Sequence, residues 1–137
     1  MHIINKSKRP TYLSLDALLH ANICQDSLYN EGLLLRYSNK PYDNFEVAMR
    51  NVRDIYHMEY LTEPAMNYTF WDTCDKMNKN YVTLLSHLVK KLHQKGEHET
   101  ANRLHSTLSK SIDMSTEDED FKTYLHNYLK EQSGVEQ

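Results

Sequence analysis

Arg50 and His57 have the spacing most readily turned into chemistry. Six residues separate them, and Asn51 follows Arg50 directly. On an α-helix seven positions make close to two turns, so the two side chains share a face. A guanidinium there can hold a scissile phosphate while an imidazole moves a proton. A second set, Asp16, His20 and Cys24, is spaced i, i+4, i+8, a ladder of zinc-ligand types along one helix flank. One flank offers at best two adjacent ligands where a site needs three or four, so this set is a metal candidate only if another element completes it. His98 and His105, seven apart, share a helix face as well. There is no Cys-x-x-Cys, no His-Glu-x-x-His and no Glu-x-x-His pair, so no cofactor is expected.

The stretch Arg50-Asn51-Val52-Arg53-Asp54-Ile55-Tyr56-His57 resembles the catalytic motif of the HEPN ribonuclease superfamily, small helical bundles that usually dimerise to join two such motifs. The resemblance covers these eight residues. It implies metal-independent RNA cleavage with Arg50 and His57 as the catalytic pair. The residues by themselves also read as a solvated stripe of Glu46, Arg50, Arg53 and His57, with Glu46 and Arg50 a favourable i, i+4 ion pair. With eight histidines in 137 residues such a spacing arises by chance, so the stripe is the first reading and the ribonuclease the alternative.

These side chains must be positioned by a chain of 137 residues with three Gly, three Pro and ten Tyr. That length suits one domain. Hairpins, P-loops and Rossmann turns run on glycine, and no Asn-Gly, Asp-Gly or Gly-Gly pair occurs. An all-α fold is therefore expected. Net charge is −3, which gives no basic bias toward nucleic acid or membrane. No apolar run approaches the length of a membrane-spanning helix, and the start lacks a signal-peptide core, so a cytoplasmic protein is expected. Cys24 and Cys74 then read as reduced thiols.

Residues 1–13, with Lys6, Lys8 and Arg9, read as a flexible or extended basic arm, offering at most non-specific phosphate contacts. Ser14 caps a helix carrying Leu15, Leu18, Leu19 and Ile23. Residues 26–37 are read as a short helix, Gly32 being awkward in it. A strand at Leu33–Tyr37 is the alternative, but no partner strand is evident. Asp43 with Glu46 opens the next helix, which ends before Pro64. Phe70, Cys74, Met77, Tyr81, Leu84, Leu88 and Leu92 then form a sustained seam at 3–4 spacing, predicting a long central helix over about 65–95. Gly96 stops it. Ala101, Leu104, Leu108 and Ile112 mark another helix, and Phe121, Tyr124, Leu125, Tyr128 and Leu129 the last. Ser115 is the expected N-cap of that last helix, with Glu117, Asp118, Glu119 and Asp120 in its first turn. The expectation is a single-domain bundle of five or six helices over 14–132, with a frayed tail at 133–137.

No catalytic motif stands above chance, and the chain is rich in Tyr and Met, side chains favoured at interfaces. Residues 113–137 hold seven acidic and two basic side chains. The expected function is therefore non-enzymatic binding of another protein, as by a regulator, inhibitor or immunity-type protein of phage or mobile-element kind. The expected contact surfaces are Glu117 to Asp120 and the region of Tyr68 and Trp71. A homodimer is a further possibility, and a helical nucleic-acid binder using the N-terminal arm a second alternative.

Overall fold

The computed structural model describes residues 9–15, 17, 25–55, 58–64 and 69–134. It is predominantly helical, with one small sheet, and divides into two compact units, residues 1–56 and 57–137.

The first unit holds the sheet. Strands β1 (Thr11–Leu13), β2 (Leu28–Asn30) and β3 (Leu35–Tyr37) are antiparallel in the order β1-β3-β2. Arg36 pairs across with Tyr12 on one side and Tyr29 on the other. The all-α expectation is corrected here, and so is the helix expected over 26–37. Residues Gln25–Ser27 form one 3₁₀ turn, and a hairpin follows. The reason is local. Gly32 N–H donates to Asn30 Oδ1 at 2.7 Å, closing an Asx turn, and Gly32 sits at φ 114°, which no helix accommodates. Glu31 N–H then donates to Leu34 O at 3.0 Å and closes the four-residue loop. The strand missing from the sequence reading is Thr11–Leu13, which lies inside the segment read as an arm. The described start of the next element agrees with the expected cap, since Ala17 N–H donates to Ser14 Oγ at 3.2 Å.

Helix α1 (Asn44–Arg50) begins as expected at Asp43, whose Oδ1 accepts from Phe45 N and Glu46 N at 3.1 and 3.4 Å. It buries Phe45 and Ala48, and among the described residues of this unit Leu33 and Leu35 of the hairpin are the other buried apolar side chains. The helix does not run on regularly toward Pro64. Asn51–Ile55 form a π-turn, and Met58–Thr62 a 3₁₀ turn.

The second unit is a three-helix assembly. Helices α2 (Trp71–Gln94), α3 (His98–Asp113) and α4 (Glu119–Ser133) pack on one another, joined by short reversing turns. The long helix thus starts later than residue 65. Gly96, at φ 81°, ends it: Gly96 N–H reaches His93 O at 3.1 Å and Glu97 N–H reaches Leu92 O at 2.9 Å, a Schellman closure that needs a left-handed residue. Val82, Leu85, Val89 and Leu92 of α2 are buried with Leu104, Leu108 and Ile112 of α3 and Leu125 and Leu129 of α4. Leu61 of the 3₁₀ turn, fully buried, adds to this core. Four α-helices are bounded within the described residues, so the chain is predominantly helical without a clear bundle of five or six. Ser133 is buried, its hydroxyl donating to Lys130 O at 3.0 Å, and α4 closes at Gly134, while 135–137 of the expected tail lie outside the described residues.

Candidate functional site

In the first unit the polar groups gather around a buried carboxylate. Glu31, 2% exposed, accepts from the Tyr42 phenol at 2.7 Å and has the Arg36 guanidinium at 3.5 Å. Arg36 lies 5.2 Å over the Tyr42 ring, a cation–π stack, and Tyr42 is 4.8 Å from Tyr29 between ring centres. Strand alternation explains the convergence: Tyr12, Arg36 and Tyr29 are cross-strand neighbours, so all three side chains leave the same face. Burial first, and then the Glu31 bond and charge, push the Tyr42 phenol well above its ordinary value. It therefore stays protonated at neutral pH and is a donor, not a base. The backbone of the same loop is held from α1, Asn44 Nδ2 donating to Asn30 O at 2.9 Å and Asn51 Nδ2 to Glu31 O at 3.0 Å. This cluster is a structural hub, which the sequence reading missed. Its only signal there is the Asn30-Glu31-Gly32 turn.

Arg50 is exposed at the end of α1, whereas Asn51 beside it is buried on the hairpin loop. The π-turn that follows changes the helical phase, so the two-turn α-spacing does not describe the path from Arg50 to His57. His57 lies outside the described residues. Arg53 does not extend the stripe freely, because it makes a fork with Asp54, Nε to Oδ1 at 2.8 Å and Nη2 to Oδ2 at 3.0 Å. Asp16, His20, Cys24 and Tyr68 also lie outside the described residues.

In the second unit the acidic run is divided among tasks. Asp118, not Ser115, caps α4, its Oδ1 accepting from Phe121 N at 2.8 Å. The turn after α3 is tied down by the buried Asp75 carboxylate, which accepts from Thr116 N at 3.3 Å and Thr116 Oγ1 at 2.7 Å. That tether carries the chain past Ser115 before the helix can start. Glu117 pairs with Lys79, whose ammonium also lies 5.4 Å over the Phe121 ring. Glu119 meets Lys122 at 3.4 Å. Asp120 is exposed on the first turn. Trp71 is the first residue of α2, directly after Phe70.

The described histidines of this unit make several separate polar contacts. His93 Nδ1 and His98 Nδ1 are 3.0 Å apart across the α2–α3 turn. His126 lies 2.8 Å from Asp113, and His87 3.3 Å from the Tyr128 hydroxyl. His105 is held below its ordinary value by burial first, then by the charges of His93 and His126. Burial and then Lys90 and Lys91 do the same to His87. Among the described residues no three His, Cys, Asp or Glu side chains converge as a metal site. No described helix is long and apolar enough to cross a membrane.

The exposed apolar side chains are the remaining feature. On α2 the predicted seam is covered only in part. Leu84 and Leu88 are buried, but Met77 is 45% exposed and Phe70, just before the helix, 75% exposed. By helical rotation Met77, Leu84 and Leu88 lie on one flank of α2. Tyr124 of α4 is 59% exposed, beside Phe121 at 5.8 Å. No family model, curated protein or solved structure matches the chain.

Proposed function

We propose that the protein acts by binding another protein, in the manner of a regulator or inhibitor that occupies a partner's surface. The observation that carries this reading is a pair of exposed apolar side chains at the start of α2, Phe70 just before it and Met77 within it. Leu84 and Leu88, further along the flank of Met77, are buried, whereas Met77 and Phe70 remain in solvent. Large exposed apolar side chains of this kind are a feature of association sites. Met and aromatic side chains are also the types that interfaces favour.

The test is capture of partners by the tagged full chain, compared with a Phe70→Ser/Met77→Asp double variant. Both positions are exposed, so the variant is expected to keep its helical circular dichroism. A protein held by the native chain and lost from the variant supports the reading. Identical captured sets overturn it. RNA cleavage without metal, abolished by both Arg50→Ala and His57→Ala, would replace it with the ribonuclease.

A further inference from the structure

His93 and His98 meet head-on across the turn that joins α2 to α3. Their Nδ1 atoms are 3.0 Å apart, and the ring centroids 5.3 Å apart. The centroids exceed the nitrogens in separation by the reach of both rings, so each Nδ1 points straight at the other. That is the geometry of an N–H···N hydrogen bond, in which one Nδ1 carries the proton and the other the lone pair.

The second nitrogen of His93 restricts the proton arrangement. His93 Nε2 is sealed from solvent and has no hydrogen-bond partner. A neutral His93 that donates from Nδ1 leaves only a bare lone pair at Nε2. A neutral His93 that accepts at Nδ1 must carry its proton on Nε2, burying an orphan donor. Orphaned buried N–H groups are rarer in folded proteins than under-satisfied acceptors. The favoured arrangement is thus His93 Nδ1–H donating to His98 Nδ1, with His98 Nε2–H in water, since His98 is exposed.

Any added proton upsets this. If His98 becomes the cation, it donates from Nδ1, and His93 must move its own proton to the buried Nε2. If His93 becomes the cation, Nε2 is again protonated without a partner. If both are cations, two N–H groups face each other and the bond is gone. We propose that the His93–His98 pair is a pH-operated latch on the α2–α3 corner, closed while both rings are neutral, weakened by the first proton, which strands an N–H on the buried His93 Nε2, and opened when both rings are cations.

The titratable groups tied to this corner are Lys95 and Glu97 in the turn itself, His105 on α3, which interacts with His93, and through it His126 on α4. His93 is among the groups that disfavour a cation on His105, after burial, so cations on these two rings oppose each other. Glu97 supplies the turn's one carboxylate, and it is exposed, where water and salt screen it.

The experiment is NMR on the intact chain between pH 7.5 and pH 5.5. Imidazole ¹⁵N shifts should show His93 as the Nδ1–H tautomer at the upper pH. Amide protection at residues 92–98, measured relative to the middle of α4, should fall about tenfold on acidification, the equivalent of one hydrogen bond. His98→Gln places an uncharged amide oxygen within reach of His93 Nδ1–H, and it should keep that protection across the range. An Nε2–H tautomer for His93 would overturn the latch. So would protection that is unchanged as the rings charge, a loss spread evenly over α2 to α4, or the same local loss in His98→Gln.

Discussion

The Tyr42 hydroxyl donates to Glu31 Oε1 at 2.7 Å, and Glu31 is almost wholly buried. The two are eleven residues apart, one in the hairpin loop and one in the approach to α1. A buried carboxylate needs donors, and the Arg36 contact at 3.5 Å is long for one. Tyr42 therefore links the hairpin to the segment that starts the helix. Tyr42→Phe should cost about 1–3 kcal/mol, the penalty for leaving a buried acceptor short of a donor. Urea unfolding checks this. Glu31→Gln, which keeps an acceptor without the charge, should be milder, and a Tyr42→Phe variant as stable as the native chain would show the bond to be dispensable.

Tyr42 also sets an alkaline limit. Its folded-state proton is held well above the ordinary phenol value by burial first, then by Glu31. The unfolded chain releases that proton above about pH 10, while the folded chain keeps it. The folded state then binds more protons, so stability is present below pH 10 and is lost as pH rises beyond it. In a phenolate absorbance titration, Tyr42→Phe should remove one late-ionising tyrosine. Tyr128, raised by burial as well, should still ionise late in the variant.

The four carboxylates at the start of α4 should behave differently from one another. Asp118→Ala removes the N-cap bond to Phe121 N and should cost about 1 kcal/mol. Asp120→Ala, at an exposed position, should stay within about 0.5 kcal/mol. Thermal unfolding of the two variants side by side decides the matter. Equal effects would mean that the capping geometry carries no stability.

Acid should destabilise the three-helix unit through His87 and His105. Burial lowers both, seconded by lysines at His87 and by His93 and His126 at His105. Below about pH 6.5 the unfolded chain takes up protons that these folded sites resist. Unfolded protein then binds more protons, so stability falls as pH drops. His87→Gln and His105→Gln should each flatten the acid limb of a urea-midpoint profile, and an unchanged limb in both would count against it.

Local sequence determined much of the second unit. The 3–4 spacing from Phe70 to Leu92 is the seam of α2, and Gly96 ends it because the Schellman closure requires a left-handed backbone. Ala101, Leu104, Leu108 and Ile112 are the buried stripe of α3. Asp43 caps α1 as its position before Phe45 and Glu46 implies. Each of these is decided within a few residues, by helical periodicity or by a side chain reaching its neighbour's N–H.

What local sequence did not contain are relations between distant residues. Strands of three residues have no readable period, and β3 exists because Thr11–Leu13 and Leu28–Asn30 flank it. Asp118 caps α4 instead of Ser115 because Asp75, forty-one residues before Thr116, holds the preceding turn in place. His93 and His98 form a bond only because the chain reverses at Gly96. Apolar spacing said which residues of α2 seek cover, and only packing decided that Leu84 and Leu88 obtain it while Phe70 and Met77 do not. Periodicity is a property of one element, whereas burial and pairing need the surfaces of others.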